Sequence, residues 1–311
     1  MDTSTDIVFI HRNYSWYLPY VIHQVKKSNP QSRVALIAQS AEVPGTINVS
    51  LDRYRNAALP SEFARRYVHM HHGNPVYESF CFQRWFILLD YMTTNGVDSA
   101  LYLDSDVLLY SPLSDISLAY GGETIECGYS IPNQSYESHE WHASGHASYW
   151  TKPALESLCD FLLESFTAEK YLAVYREKWE WQQRSGVRGG VSDMTGLYLF
   201  YLERPELVTN FAAAASGTVI DHNLNIALNF NENEYELEDG KKRVQFYSDV
   251  PMLFRHTDGG AVRAHALHLQ GGTKNEIPRY YRGRPFPAKP LYDGYALMRR
   301  AGQKGKRLVG R

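Results

Sequence analysis

Cysteine is scarce. Cys81, Cys127 and Cys159 are the three cysteines in 311 residues, widely spaced and odd in number. With no CxxC pair and no even set, they exclude a disulfide framework and point to a reducing compartment. No run of about 18 apolar residues occurs, so no segment reads as a membrane span. The opening MDTSTDIVFIHRN lacks a basic n-region and a long apolar h-region, so it is not read as a signal peptide. The expected location is the cytoplasm. An excess of one charge is lacking too: 32 Lys and Arg stand against 34 Asp and Glu, which removes the expectation of a nucleic-acid partner. Two phosphate-binding fingerprints are also missing. There is no GxxxxGK[ST], and no GxGxxG follows the first apolar run, which excludes a P-loop and a dinucleotide site. A haloacid-type phosphatase would carry its aspartates on the first strand, and this chain does not. The histidines of VHMHHG (His69, His71, His72) and HEWHASGH (His139, His142, His146) have neither cysteine partners nor HExxH spacing, so zinc is not expected.

What is present is an ordinary globular composition, 44% hydrophobic and 21% charged, with an aromatic content of 14% that includes 23 Tyr. Tyrosine faces suit sugar rings, although they fill cores equally well. DIVFIH, then the helical YLPYVIHQVKKS, then RVALIA describe a βαβ unit with buried parallel strands. ESFCFQRWFILLDYMTTNG has helical spacing and a natural stop at Asn95-Gly96. PALESLCDFLLESF reads as an amphipathic helix with Pro in its first turn, and AHALHLQGG as a late strand entering a glycine turn. The fold class expected from these elements is α/β, with a doubly wound sheet flanked by helices.

Between these elements lies SALYLDSDVLLYSP, in which a buried-looking strand is broken by Asp104-Ser105-Asp106. Residues i and i+2 of a strand share a face, so both carboxylates project together and repel unless a cation lies between them. A surface Asp-Ser-Asp turn is one reading. A position at the end of an inner strand, where ligands bind in such sheets, favours a hard-cation site instead. Carboxylates with open positions suit Mg²⁺ or Mn²⁺ shared with substrate phosphates.

YLDSDVLLY resembles the DXD motif of GT-A-fold glycosyltransferases, which use nucleotide-sugar donors. HLQGGTK, with His268, Gly271 and Lys274 in an HxxGxxK register, resembles the retaining family-eight enzymes of the glycogenin and lipopolysaccharide-galactosyltransferase type. The resemblance spans roughly residues 6–275 in pattern, and the Pro-Trp that commonly follows the motif is replaced by Asn275-Glu276. It implies that Asp104, Asp106 and His268 hold Mn²⁺ (or Mg²⁺), while Gly271 and Lys274 meet the donor diphosphate. It further implies donor contacts from His11, Asn13, Arg84, Ser105, Ser144 and His146, and a catalytic carboxylate at Asp193.

The implied activity is transfer of a hexose-type sugar from a UDP-type donor to a glycan or lipid-linked acceptor, with retention of configuration. The alternatives are an inverting enzyme with Asp193 as base, a metal-dependent nucleotidyl- or phosphotransferase, and a non-catalytic sugar-binding module. The resemblance also implies a single GT-A-type α/β domain over 1–275, a Rossmann-like mixed sheet flanked by helices, with a nucleotide half at 1–110 and an acceptor half at 111–275; a Pro/Arg/Tyr-rich extension fills 276–311. Its tail carries Arg299, Arg300, Lys304, Lys306, Arg307 and Arg311 with no acidic residue among them. Such a run reads as solvated chain, or as a peripheral contact with the anionic inner face of a membrane.

Overall fold

Alternation along the first strand shows how the molecule is layered. In β1 (Asp6–His11), Ile7 and Phe9 face one apolar cluster while Val8 and Ile10 face another, so the strand is buried on both sides. The computed structural model describes residues 1, 4–122, 125–286, 289–295 and 297–298. The basic residues of the tail lie outside that set. From β1 the chain runs through α1 (Leu18–Ser28), β2 (Val34–Ala38), β3 (Ile47–Ser50), α2 (Leu51–Arg55), α3 (Ala58–Arg66) and α4 (Pro75–Asn95). β4 (Ser99–Leu103), β5 (Val107–Leu109), α5 (Leu113–Tyr120), β6 (Cys127–Ser130), β7 (Ser144–Thr151), α6 (Lys152–Ser165), α7 (Glu169–Ser185) and α8 (Asp193–Glu203) follow. The last third adds β8 (Val208–Asn210), β9 (Thr218–Ile220), β10 (Leu237–Glu238), β11 (Lys241–Lys242), β12 (Val244–Tyr247), β13 (Val250–Phe254), β14 (Ala261–His268) and the short α9 (Ile277–Tyr280).

Seven strands form the main sheet in the order β3-β2-β1-β4-β7-β6-β8. β3, β2, β1 and β4 are parallel, whereas β7 is antiparallel to both β4 and β6. The expected α/β fold with a mixed sheet and flanking helices is what the chain adopts. A second sheet, β12-β13-β14-β5, carries β9 beside β14. The broken strand of the sequence thus becomes two strands in two sheets: β4 belongs to the first, β5 to the second, and Asp104-Ser105-Asp106 is the crossing between them. Asp104 N donates to His146 O at 2.7 Å on the first sheet, and Leu269 N donates to Asp106 O at 3.0 Å on the second.

The long helix α4 positions one wall of the site. Asn74 caps its N-terminus through Val76 N and Tyr77 N, and Gly96 ends it in the left-handed conformation at φ 62°. Past residue 275 the chain folds back onto α1. Tyr281 and Phe286 meet the Tyr20 ring edge-on, and Arg282 N donates to Gln24 Oε1 at 2.8 Å. This part of the expected extension is integral to the core, since Ile277, Tyr280, Tyr281 and Phe286 are buried in the same cluster as β1.

Candidate active site

Asp104 and Asp106 each have a cation of their own. Asp104 Oδ1 accepts from Arg84 at 2.9 Å and from Tyr102 Oη at 2.6 Å. Asp106 Oδ2 lies 3.0 Å from Lys274 Nζ. Burial alone would lower the Lys274 pKa, but the attraction of Asp106 and its neighbours outweighs it and raises the group, which stays charged. The second guanidinium nitrogen of Arg84 holds Asp193 Oδ2, which also accepts from Trp85 Nε1 at 3.2 Å. Arg84 therefore bridges Asp104, at the end of β4, to Asp193, in the first turn of α8, where a helix N-terminus favours negative charge. Burial pushes the Asp193 carboxyl up, and Arg84 opposes that shift.

The third member of the group arrives from β14. His268 Nε2 lies 3.6 Å from Asp106 Oδ1, and its Nδ1 lies 2.7 Å from His222 O. A carbonyl can only accept, so Nδ1 carries a proton, and this bond fixes the ring with Nε2 directed toward Asp106. Asp221 fixes the same strand end: its Oδ2 accepts from His268 N at 3.0 Å, while its Oδ1 pairs with the fully buried Lys242 at 2.5 Å. Ligand atoms of Asp104, Asp106 and His268 all lie within 4.8 Å of one another, and among the described residues this is the group of three or more that fits a metal. Two hard oxygens and one oriented imidazole nitrogen suit a divalent cation of the Mn²⁺ or Mg²⁺ kind.

These residues share a cleft of about 520 Å³ with His11, Asn13, Arg84, Ser105, Ser144, Asp193 and Lys274. Burial, reinforced by Lys274, lowers the His11 pKa to about 4, and its Nε2 sits 3.0 Å from Ser15 Oγ. Gly271 lies at φ 61° beside this cleft, lining an adjoining cavity of about 840 Å³ with Lys274 and Tyr17. The expectation for His146 as a donor contact needs correction. It is 1% exposed, its Nε2 faces Asp221 O at 2.9 Å, and its ring stacks on His268 at 4.3 Å. Its place is behind the site, where its ring backs the His268 imidazole. Arg84 lines the cleft with its two terminal nitrogens held by Asp104, Tyr102 and Asp193, while its buried Nε has no hydrogen-bond partner among the described residues.

Sequence reasoning missed Glu78, Asp221, His222 and Lys242. Glu78 lies on the cleft wall in contact with His71 at 3.3 Å, and burial, with the nearby Asp193, raises its pKa to about 7. No pattern marked it, because it falls inside the helical run of α4.

No protein-family model and no protein of curated function matches the sequence. Among solved structures, the chain is similar to mouse xyloside xylosyltransferase 1 in its apo form, at 10% identity and a TM-score of 0.43, covering 66% of this chain and 84% of that one. It is also similar to the galactosyltransferase LgtC in complex with donor and acceptor sugar analogs, at 17% identity and TM-score 0.31, over 62% and 70% of the two chains. A cytidylyltransferase from Leptospira borgpetersenii serovar Hardjo-bovis aligns at 15% identity and TM-score 0.32, over 57% and 74%.

Proposed function

We propose that the protein is a metal-dependent glycosyltransferase of GT-A type that moves a hexose-type sugar from a UDP-type donor to a glycan or lipid-linked acceptor. The observation carrying this reading is the Asp104, Asp106 and His268 group with Lys274 beside it, in one cleft at the end of the inner strand β4. Asp104, Asp106 and His268 would hold Mn²⁺ or Mg²⁺, and the bound cation would offset negative charge on a diphosphate leaving group. Lys274, now paired with Asp106, supplies a point charge for the same diphosphate. Gly271 turns the backbone in a conformation that side chains rarely adopt, bringing the loop close to the phosphates. His11, Asn13, Ser105 and Ser144 line the donor side of the cleft.

We read the reaction as retaining. The anomeric carbon–oxygen bond to the diphosphate breaks, the bond to the acceptor oxygen forms on the same face, and the acceptor proton passes to a diphosphate oxygen. Asp193 is poorly suited to be the base, since one of its oxygens already holds Arg84 and Trp85. Its role is to hold Arg84, and through it Asp104. Among the described residues no helix is long and apolar enough to cross a membrane, and a peripheral contact would fall to the basic tail.

Incubating the protein with UDP-, GDP- and CMP-sugars and Mn²⁺ tests the reading. Slow UDP release that stops with chelator is expected, and proton NMR of the product anomer reports the stereochemistry. Full turnover in excess chelator, or pyrophosphate release in place of UDP, would overturn it.

A further inference from the structure

A smaller pocket of about 290 Å³ adjoins the acidic cleft and has the opposite chemistry. Arg12 and Phe80 line both spaces. The cleft carries Asp104, Asp106, Asp193 and Glu78, whereas the nine residues lining the pocket include two arginines and a histidine and no acid. Arg12 leaves the end of β1, stacks on Phe80 at 5.5 Å and makes one long bond of 3.5 Å to Val76 O. Arg55 comes from the last turn of α2. Neither arginine has an ion-pair partner among the described residues. His69 Nδ1 is 3.0 Å from Tyr67 Oη, and its Nε2 has no hydrogen-bond partner among the described residues. Two guanidinium groups facing one space without a carboxylate repel each other, and a bound oxyanion would relieve that repulsion while accepting bidentate, charge-assisted hydrogen bonds.

We propose that this pocket binds an anionic group, a phosphate or a carboxylate, on the acceptor. The donor diphosphate already has its cations in Lys274 and the metal group, which come from other loops. The Arg12–Arg55 pocket is a second, separate set. A molecule lying across the boundary at Arg12 and Phe80 meets the arginines at its charged end and the cleft at its hydroxyl end. Assigning the anion to the acceptor rests on the transferase reading; binding of an oxyanion here does not.

The test is calorimetric titration of inorganic phosphate into the full chain with EDTA present and no donor, against chloride at matched ionic strength. Wild type and K274A should bind phosphate in this pocket alike. R12Q/R55Q should weaken that binding by about tenfold or more, with R55Q alone, an exposed substitution, intermediate. Unchanged affinity in R55Q and R12Q/R55Q, or loss of all phosphate binding in K274A, overturns the proposal. Competition with methyl phosphate and with glucuronate then separates the two sources of charge. Displacement by one of them identifies the group, and displacement by neither overturns the proposal. Since no donor is present, the outcome is independent of the donor-release assay, so the two readings fail separately.

Discussion

Replacing Arg84 by Gln tests whether the guanidinium holds the active-site carboxylates in place. The Arg84 side chain is 12% exposed and those of Asp193 and Asp104 are 4% and 28%, so solvent screening is weak. Removing one partner of a buried pair leaves an uncompensated charge and costs roughly 3–5 kcal/mol. Gln retains some hydrogen bonding and Trp85 still donates to Asp193, so we expect about 3 kcal/mol at pH 7 by urea unfolding. The pH dependence carries the sharper test. Asp193 is already raised by burial, and without Arg84 its folded-state pKa rises further above the unfolded value. An acid raised on folding penalises the folded state above that pKa, and the penalty disappears as pH falls and the group takes its proton. The deficit of R84Q should therefore be smaller at pH 5 than at pH 7, and adding D193N should recover much of it. A deficit under about 1 kcal/mol at pH 7, the size of an exposed pair, would refute the reasoning. So would a deficit equal at both pH values, or strict additivity in R84Q/D193N.

Further outcomes are expected. Asp106→Asn should abolish Mn²⁺ binding by calorimetry while the folded far-UV spectrum persists; retained binding would remove Asp106 from the metal group. Lys274→Ala should weaken UDP binding with a melting loss of only a few degrees, because its side chain is 35% exposed. Lys242→Met should cost about 3–5 kcal/mol, with D221N/K242M recovering part of it, since both side chains are 0% exposed. His11 is held neutral to about pH 4, whereas an unfolded histidine takes its proton near 6.5. Stability should therefore fall as pH drops through that window, and His11→Asn should flatten this limb of the stability profile; an identical profile in the variant would refute it.

The main elements were legible because their periods are strong. The helix ending at Asn95-Gly96 and the buried strands at Asp6 and Val34 follow from apolar patterning and capping alone. The Asp104, Asp106 and His268 group was legible because two of its members sit two apart in a DXD register and the third carries an HxxGxxK register of its own. What stayed hidden was everything held by distance. Arg84 and Asp193 lie 109 positions apart, and nothing local in either segment announces the other. Asp221 and Lys242 carry no local pattern that singles them out, yet they meet inside the protein to set the end of β14. His146 misled for a related reason. A histidine among small residues matches a ligand-lining strand, and only the packing of His268 against it shows that it faces inward.

The switch of the chain from one sheet to the other at Asp104–Asp106 has a mechanical meaning. Asp104 is tied to the seven-stranded sheet through His146, while Asp106 and His268 travel with the small sheet through β5 and β14. An ion held by all three would act as a rivet at the seam where the chain crosses between two layers that share one apolar core. Sliding of the layers would have to stretch its bonds. Amide exchange in β12 and β13, which touch no ligand, should then slow on loading as much as exchange in β4, because small-sheet openings that involve the seam would need the rivet released first.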